Sequence, residues 1–152
     1  MHAHLDLPSH LRDGFTAAGV SPAEPGAATV ASAPSGLADW QTTLDALTAL
    51  YRTAKAAAAR GSPIVFVMSA DALLGRTGPL DAMAATGVVS AARTLAAELR
   101  KQGVPVNCLA SAEDTPPDQV VTWALRLLEA GPAGPTGELL QLGGAQIGKA
   151  LS

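Results

Sequence analysis

Five consecutive apolar residues, Ile64-Val65-Phe66-Val67-Met68, leave the chain few ways to fold. A strand with one wet face alternates apolar and polar positions, so a run without a polar position needs cover on both faces. Its β-branched residues also favour extended backbone. The segments on either side supply candidate cover. Over residues 37–60, Trp40, Leu44, Leu47, Tyr51, Ala54 and Ala58 recur every three or four positions, which draws one stripe along a helix, and Gly61 is a natural stop. Over residues 81–102, Val88, Ala91, Ala92, Leu95 and Leu99 form a second stripe, with Gly103 past its end.

The same reading extends outward. Weaker strands are expected over 27–33, 104–110 and 138–142. Thr115-Pro116-Pro117-Asp118 reads as a helix start, with Thr115 as cap, proline in the first turn and a carboxylate at the positive end of the dipole; that helix runs to about Ala130. Strands and helices therefore alternate, which implies a parallel sheet with right-handed crossovers. Residues 1–26, broken by Pro8, Pro22 and Pro25, read as an irregular arm with room for a short helix over 10–18. The expected division is an arm over 1–26, an α/β domain over 27–145 and a flexible tail over 146–152.

Composition narrows the function classes. Aromatic residues are only 3% of the 152, so Ala, Val, Leu and Ile must build the core. A net charge of −3 without a basic cluster along the sequence argues against nucleic-acid and membrane partners. Cys108 is the single cysteine and cannot form an internal disulfide. No apolar run approaches the roughly 20 residues of a membrane span. Nor does the start resemble a signal peptide, and a reducing cytoplasm is expected.

Specific words then become visible. Ile64 to Ser69 resembles the short-chain dehydrogenase/reductase strand that ends in the catalytic serine. Ala91-Ala92-Arg93-Thr94-Leu95-Ala96-Ala97-Glu98-Leu99, followed by Gly103-Val104-Pro105-Val106-Asn107, is similar to that family's active-site helix and next strand. Thr136-Gly137-Glu138-Leu139-Leu140-Gln141-Leu142-Gly143-Gly144 resembles its last strand. In order, these words cover about residues 27–145, with a ketoacyl-reductase-like cast. The fold implied is an α/β, three-layer partial Rossmann-like parallel sheet of about four strands, with helices on both faces.

The resemblance also implies a loss of chemistry. It places the family's catalytic tyrosine at Asp81, its lysine at Ala85 and its relay asparagine near Leu47, leaving Ser69 alone. A carboxylate anion and a methyl group cannot replace a phenol that exchanges a proton with substrate and a lysine that tunes it. Members of the family hold their dinucleotide on a Gly-rich turn at a helix N-terminus, and no G-x-G-x-x-G occurs here. No NAD(P) and no other cofactor is therefore expected, and the sheet edge beside the 27–33 strand is expected to need cover from the arm or a partner.

Other motifs compete with this reading. Tyr51 and Lys55 have the Y-x-x-x-K spacing of a reductase, but Ala38 stands where a serine would be needed and the next strand follows too soon. They read better as a core or interface aromatic and a solvated charge. Gly143-Gly144-Ala145-Gln146-Ile147-Gly148-Lys149 has phosphate-loop spacing without the hydroxyl residue or the following helix, and reads as tail. His2, His4 and His10 lack a metal-ligand pattern. Cys108 reads as a small buried hydrophobe, and Trp40 and Trp123 as core or interface anchors.

The resemblance further implies assembly through helices 37–60 and 81–102. Small residues on more than one face of the latter would admit another helix. The expectation is a non-catalytic, structural or oligomerisation subunit, forming a homo-oligomer or a hetero-oligomer with a complete ketoreductase. One alternative is an NAD(P)-dependent oxidoreductase using Tyr51 and Lys55, or one completed by another chain. Another is a small-ligand or acyl-carrier binding module using the cleft above Ser69.

Overall fold

A computed structural model describes residues 1–23 and 27–143 of the chain. In chain order the elements are β1 (His2–Asp6), α1 (Ser9–Ala17), β2 (Ser21–Pro22), β3 (Ala28–Ser32), α2 (Trp40–Ala59), β4 (Ile64–Ser69), a single turn α3 (Ala70–Leu73), α4 (Pro79–Leu99), β5 (Val106–Ser111), α5 (Pro117–Glu129) and β6 (Leu139–Leu142). The strands form one six-stranded sheet in the order β2-β1-β3-β4-β5-β6, and every neighbouring pair is parallel.

The apolar run becomes β4, flanked by β3 and β5 and buried from Ile64 to Met68. Alternation along it feeds two cores. Ile64, Phe66 and Met68 meet Leu50, Ala54 and Ala57 of α2 and Val88, Ala92 and Leu99 of α4. Val65 and Val67 enter the opposite core with Leu11 and Phe15 of α1 and Val120, Ala124 and Leu128 of α5. The architecture is three-layered, as the two-sided strand requires.

Residues 1–26 differ most from expectation. Instead of an irregular arm they contain β1, α1 and β2, which raises the strand number from about four to six. The exposed edge anticipated beside β3 is closed by β1, with Ala3 opposite Ala28 and Leu5 opposite Val30. The signal was short. In His2–Asp6 only Ala3 and Leu5 are buried, and in α1 only Leu11 and Phe15. The prolines that suggested a broken segment occupy tolerated places: Pro8 at the entry to α1, and Pro22 in a two-residue edge strand where a missing N–H also discourages further pairing.

Helix positions also shift in informative ways. The buried residues of α2 are Thr43, Leu50, Ala54 and Ala57, with Leu47 and Ala58 packed against the core, whereas Trp40, Leu44 and Tyr51 are exposed. α4 starts at Pro79 and ends in a 3-10 turn over Arg100–Gln102, stopped by left-handed Gly103. α5 starts at Pro117 without a side-chain cap, so Thr115 lies one residue before the cap position instead of on it. Among the described residues no helix is long and apolar enough to cross a membrane.

Candidate functional site

In a parallel sheet the strand carboxyl ends share one edge, where open α/β folds bind ligands. Ser69 ends β4 at that edge. Its hydroxyl accepts the Ala72 amide at 3.3 Å and so caps the α3 turn. A capping oxygen is already engaged with its own backbone.

Asp81 stands in the first turn of α4, buried to 5% exposure. Its carboxylate turns back onto the loop between β3 and α2, accepting the Leu37 amide at 2.9 Å and the Gly36 amide at 3.2 Å. Gly36, in the left-handed region at φ 69°, helps present two consecutive N–H groups to one carboxylate. The Leu37 amide is the largest influence holding Asp81 below its ordinary value of 3.8; burial opposes it, and the Gly36 amide and Thr77 hydroxyl add to the lowering. Asp81 is thus an anion clasping α4 to the start of α2. Among the described residues its bonds are the only side-chain hydrogen bonds that join α4 to the β3–α2 segment. Sequence reasoning marked Asp81 but missed Gly36 and Leu37; the signal was the glycine turn before α2, which leaves amides without a helical partner.

The remaining candidates are not gathered around Ser69 and Asp81. Ala85 is buried on α4. Leu47, Tyr51 and Lys55 line a groove between α2 and α4, with Tyr51 62% exposed and the Lys55 ammonium 5.9 Å from its ring centroid. That is an exposed cation–π pair. Cys108 is buried in β5, and desolvation raises its thiol to about 12 against a smaller opposing influence from Arg93. Trp123 is stacked by the Arg126 guanidinium at 4.7 Å on the surface of α5. His2 and His4 lie in β1 and His10 in α1; among the described residues no group of three or more His, Cys, Asp or Glu side chains converges. The phosphate-loop-like stretch lies outside the described residues beyond Gly143.

The turn from β1 into α1 occupies the place where a dinucleotide fold cradles pyrophosphate. Here it is Leu7-Pro8, with Leu7 buried and its carbonyl accepting the Arg12 guanidinium at 3.0 Å. Pro8 has no N–H to offer, and no glycine brings backbone close to a ligand. β2, the next strand outward, is only Ser21–Pro22. These residues do not fit a dinucleotide.

A groove of about 940 Å³ lies between α2 and α4. Its walls are Leu47, Tyr51, Ala54 and Ala58 from α2 and Gly87, Ala91 and Leu95 from α4, and it reaches down to Phe66 of the central strand. Exposed Trp40, Leu44 and Met83 lie on the same two helices.

Comparison with known proteins gives a fold and no closer relation. No protein-family model matches the sequence, and no curated protein matches it. Solved structures do. A short-chain dehydrogenase from Mycobacterium smegmatis superposes with a TM-score of 0.61 at 20% identity over 77% of this chain and 59% of that one. An oxidoreductase of the short-chain dehydrogenase/reductase family from Burkholderia thailandensis gives 0.68 at 22% identity, over 91% of this chain and 79% of that one. A Thermus thermophilus protein gives 0.65 at 15% identity, over 93% and 96%. The chain therefore spans less than two thirds of the Mycobacterium dehydrogenase. Its sheet and helices have the fold of short-chain dehydrogenase/reductase structures.

Proposed function

We propose that this chain is a non-catalytic subunit built on the short-chain dehydrogenase/reductase fold, which works by docking another chain on its α2–α4 face. The observation that carries the reading is the orientation of Asp81. At the place where the resemblance requires a proton donor aimed at substrate, a carboxylate accepts two backbone amides of its own chain. A group held anionic and engaged in this way does not deliver a proton to a substrate oxygen.

Two further features support it. The Leu7-Pro8 turn lacks what a pyrophosphate needs, so the reading includes no NAD(P). Trp40, Leu44 and Tyr51 of α2 are exposed, and large apolar residues left at a surface are a feature of interaction sites. Nothing in the geometry at Tyr51 and Lys55 favours the reductase alternative, since Tyr51 has neither Ser69 nor a dinucleotide turn beside it. The other chain is a second copy or a complete ketoreductase.

The test is co-purification of tagged chain from its native host combined with light scattering of the pure protein. Wild type is expected in a complex of defined stoichiometry, disrupted by Tyr51→Glu with Leu44→Glu. A monomer without a stoichiometric partner at micromolar concentration contradicts the reading.

A further inference from the structure

Two buried hydroxyls lie at the amino edge of the sheet, the edge opposite Ser69. Thr29 has no exposed surface and Ser62 only 3%, yet neither Thr29 Oγ1 nor Ser62 Oγ has a hydrogen-bond partner among the described residues. Buried polar side-chain atoms are normally bonded, because one left without a bond forfeits the hydration it had in the unfolded chain.

Their positions converge. Thr29 stands opposite Ile64 in the β3–β4 pair, and its amide donates to the Pro63 carbonyl at 2.8 Å. Ser62 immediately precedes Pro63. Strand alternation puts Thr29 on the same face as Ala31, two residues on, and Ala31 and Ile64 both belong to the core shared with α2 and α4. Ser62 reaches that face from the helix side. Its amide donates at 3.0 Å to the carbonyl of Ala57, which is in the last turn of α2 and in the same core. That carbonyl also accepts the Arg60 amide, so both of its lone pairs are in use. The two hydroxyls do not bond each other. Ala31 and Ala57, small residues of this core, take up little of the space around them.

We infer that one internal water molecule bridges Thr29 Oγ1 and Ser62 Oγ beneath the carboxyl end of α2. Internal waters sit where two or more otherwise unsatisfied polar groups meet, and a water can donate to one hydroxyl while accepting from the other. Two neutral hydroxyls without a carboxylate suit water and not a cation. The bridge ties the end of α2 to the sheet, as Asp81 ties its start through Gly36 and Leu37. It does not depend on the docking role proposed above.

The test combines a high-resolution crystal structure of the full chain with melting temperatures of Thr29→Val, Ser62→Ala and the double variant. Density is expected for one water within hydrogen-bond reach of both oxygens. Thr29→Val keeps the side-chain shape and removes its bond, so it should lower the melting temperature by about 2–4 °C. Ser62→Ala should do the same, and the double variant should fall little further than either single variant, because both report one bridge. A higher melting temperature for Thr29→Val overturns the inference, since deleting a hydroxyl with no partner relieves a cost. Additive losses in the double variant overturn it as well. So does a crystal structure in which the two oxygens bond protein atoms directly or share no water.

Discussion

The two faces of the sheet are finished to different degrees. On the α1–α5 face the large residues turn inward: Phe15, Leu11, Leu127 and Leu128 are all buried. Gly14 lets the helices meet so closely that a Cβ there would stand 3.0 Å from Val121. Exposed Trp123 is partly screened by its own Arg126. On the α2–α4 face the sheet buries mainly alanine and valine, while Trp40, Leu44, Tyr51 and Met83 remain at the surface beside an open groove. One layer completes itself within the chain. The other leaves large apolar residues exposed, and the proposed docking role rests on that difference.

Breaking the finished face should have the largest effect. Phe15→Ala removes a side chain with no exposed surface and is expected to cost about 3–5 kcal/mol in a denaturant titration. A loss below about 1 kcal/mol would mean that α1 is not part of the cooperative core. Gly14→Val is expected to destabilise by about 1–3 kcal/mol, because Val121 must give way.

The Asp81 clasp comes next. Asp81→Ala leaves the Gly36 and Leu37 amides without their acceptor and is expected to cost about 1–2 kcal/mol, the lower end applying because Gly36 is exposed to water. Hydrogen exchange of those two amides should accelerate together. The pH dependence has a fixed sign. A carboxyl held below 3.8 in the folded state contributes its full stabilisation above that value and loses it as pH falls through the lower folded value. Wild type should therefore lose melting temperature more steeply than Asp81→Asn below about pH 4. Parallel slopes would remove the clasp from the account.

On the unfinished face the same kind of change should scarcely register in stability. Tyr51→Ser, at 62% exposure, is expected within about 0.5 kcal/mol of wild type while weakening association. A large stability loss at Tyr51 would mean that the residue supports the monomer instead. Cys108, under α4 with its thiol raised to about 12, should react with a thiol reagent only when that layer opens, and a bound partner should slow the reaction further.

How much of this was legible in sequence follows the strength of each signal. The Ile64–Met68 run has no polar position, so it fixed a two-sided strand and hence the layers. Residues 2–22 were obscured because β1 offers two inward residues and β2 is a proline-containing pair; only pairing with β3 makes them a sheet. Periodicity located α2 and a stripe that lies at the edge of its core: Ala54 is buried and Leu47 and Ala58 pack against the core, while Trp40, Leu44 and Tyr51 are exposed. Asp81 was visible as a departure from the resembling motif. Its contact with Gly36 and Leu37, 45 and 44 positions away, depends on the folded loop.

The most direct test is titration of the pure chain into reduced nicotinamide dinucleotide, following cofactor fluorescence and its consumption with a ketoacyl thioester. The account predicts no saturable change and no turnover. Saturable binding with cofactor oxidation by the polypeptide alone would contradict it, because proton delivery and a pyrophosphate cradle would then exist where Asp81 and Leu7-Pro8 stand.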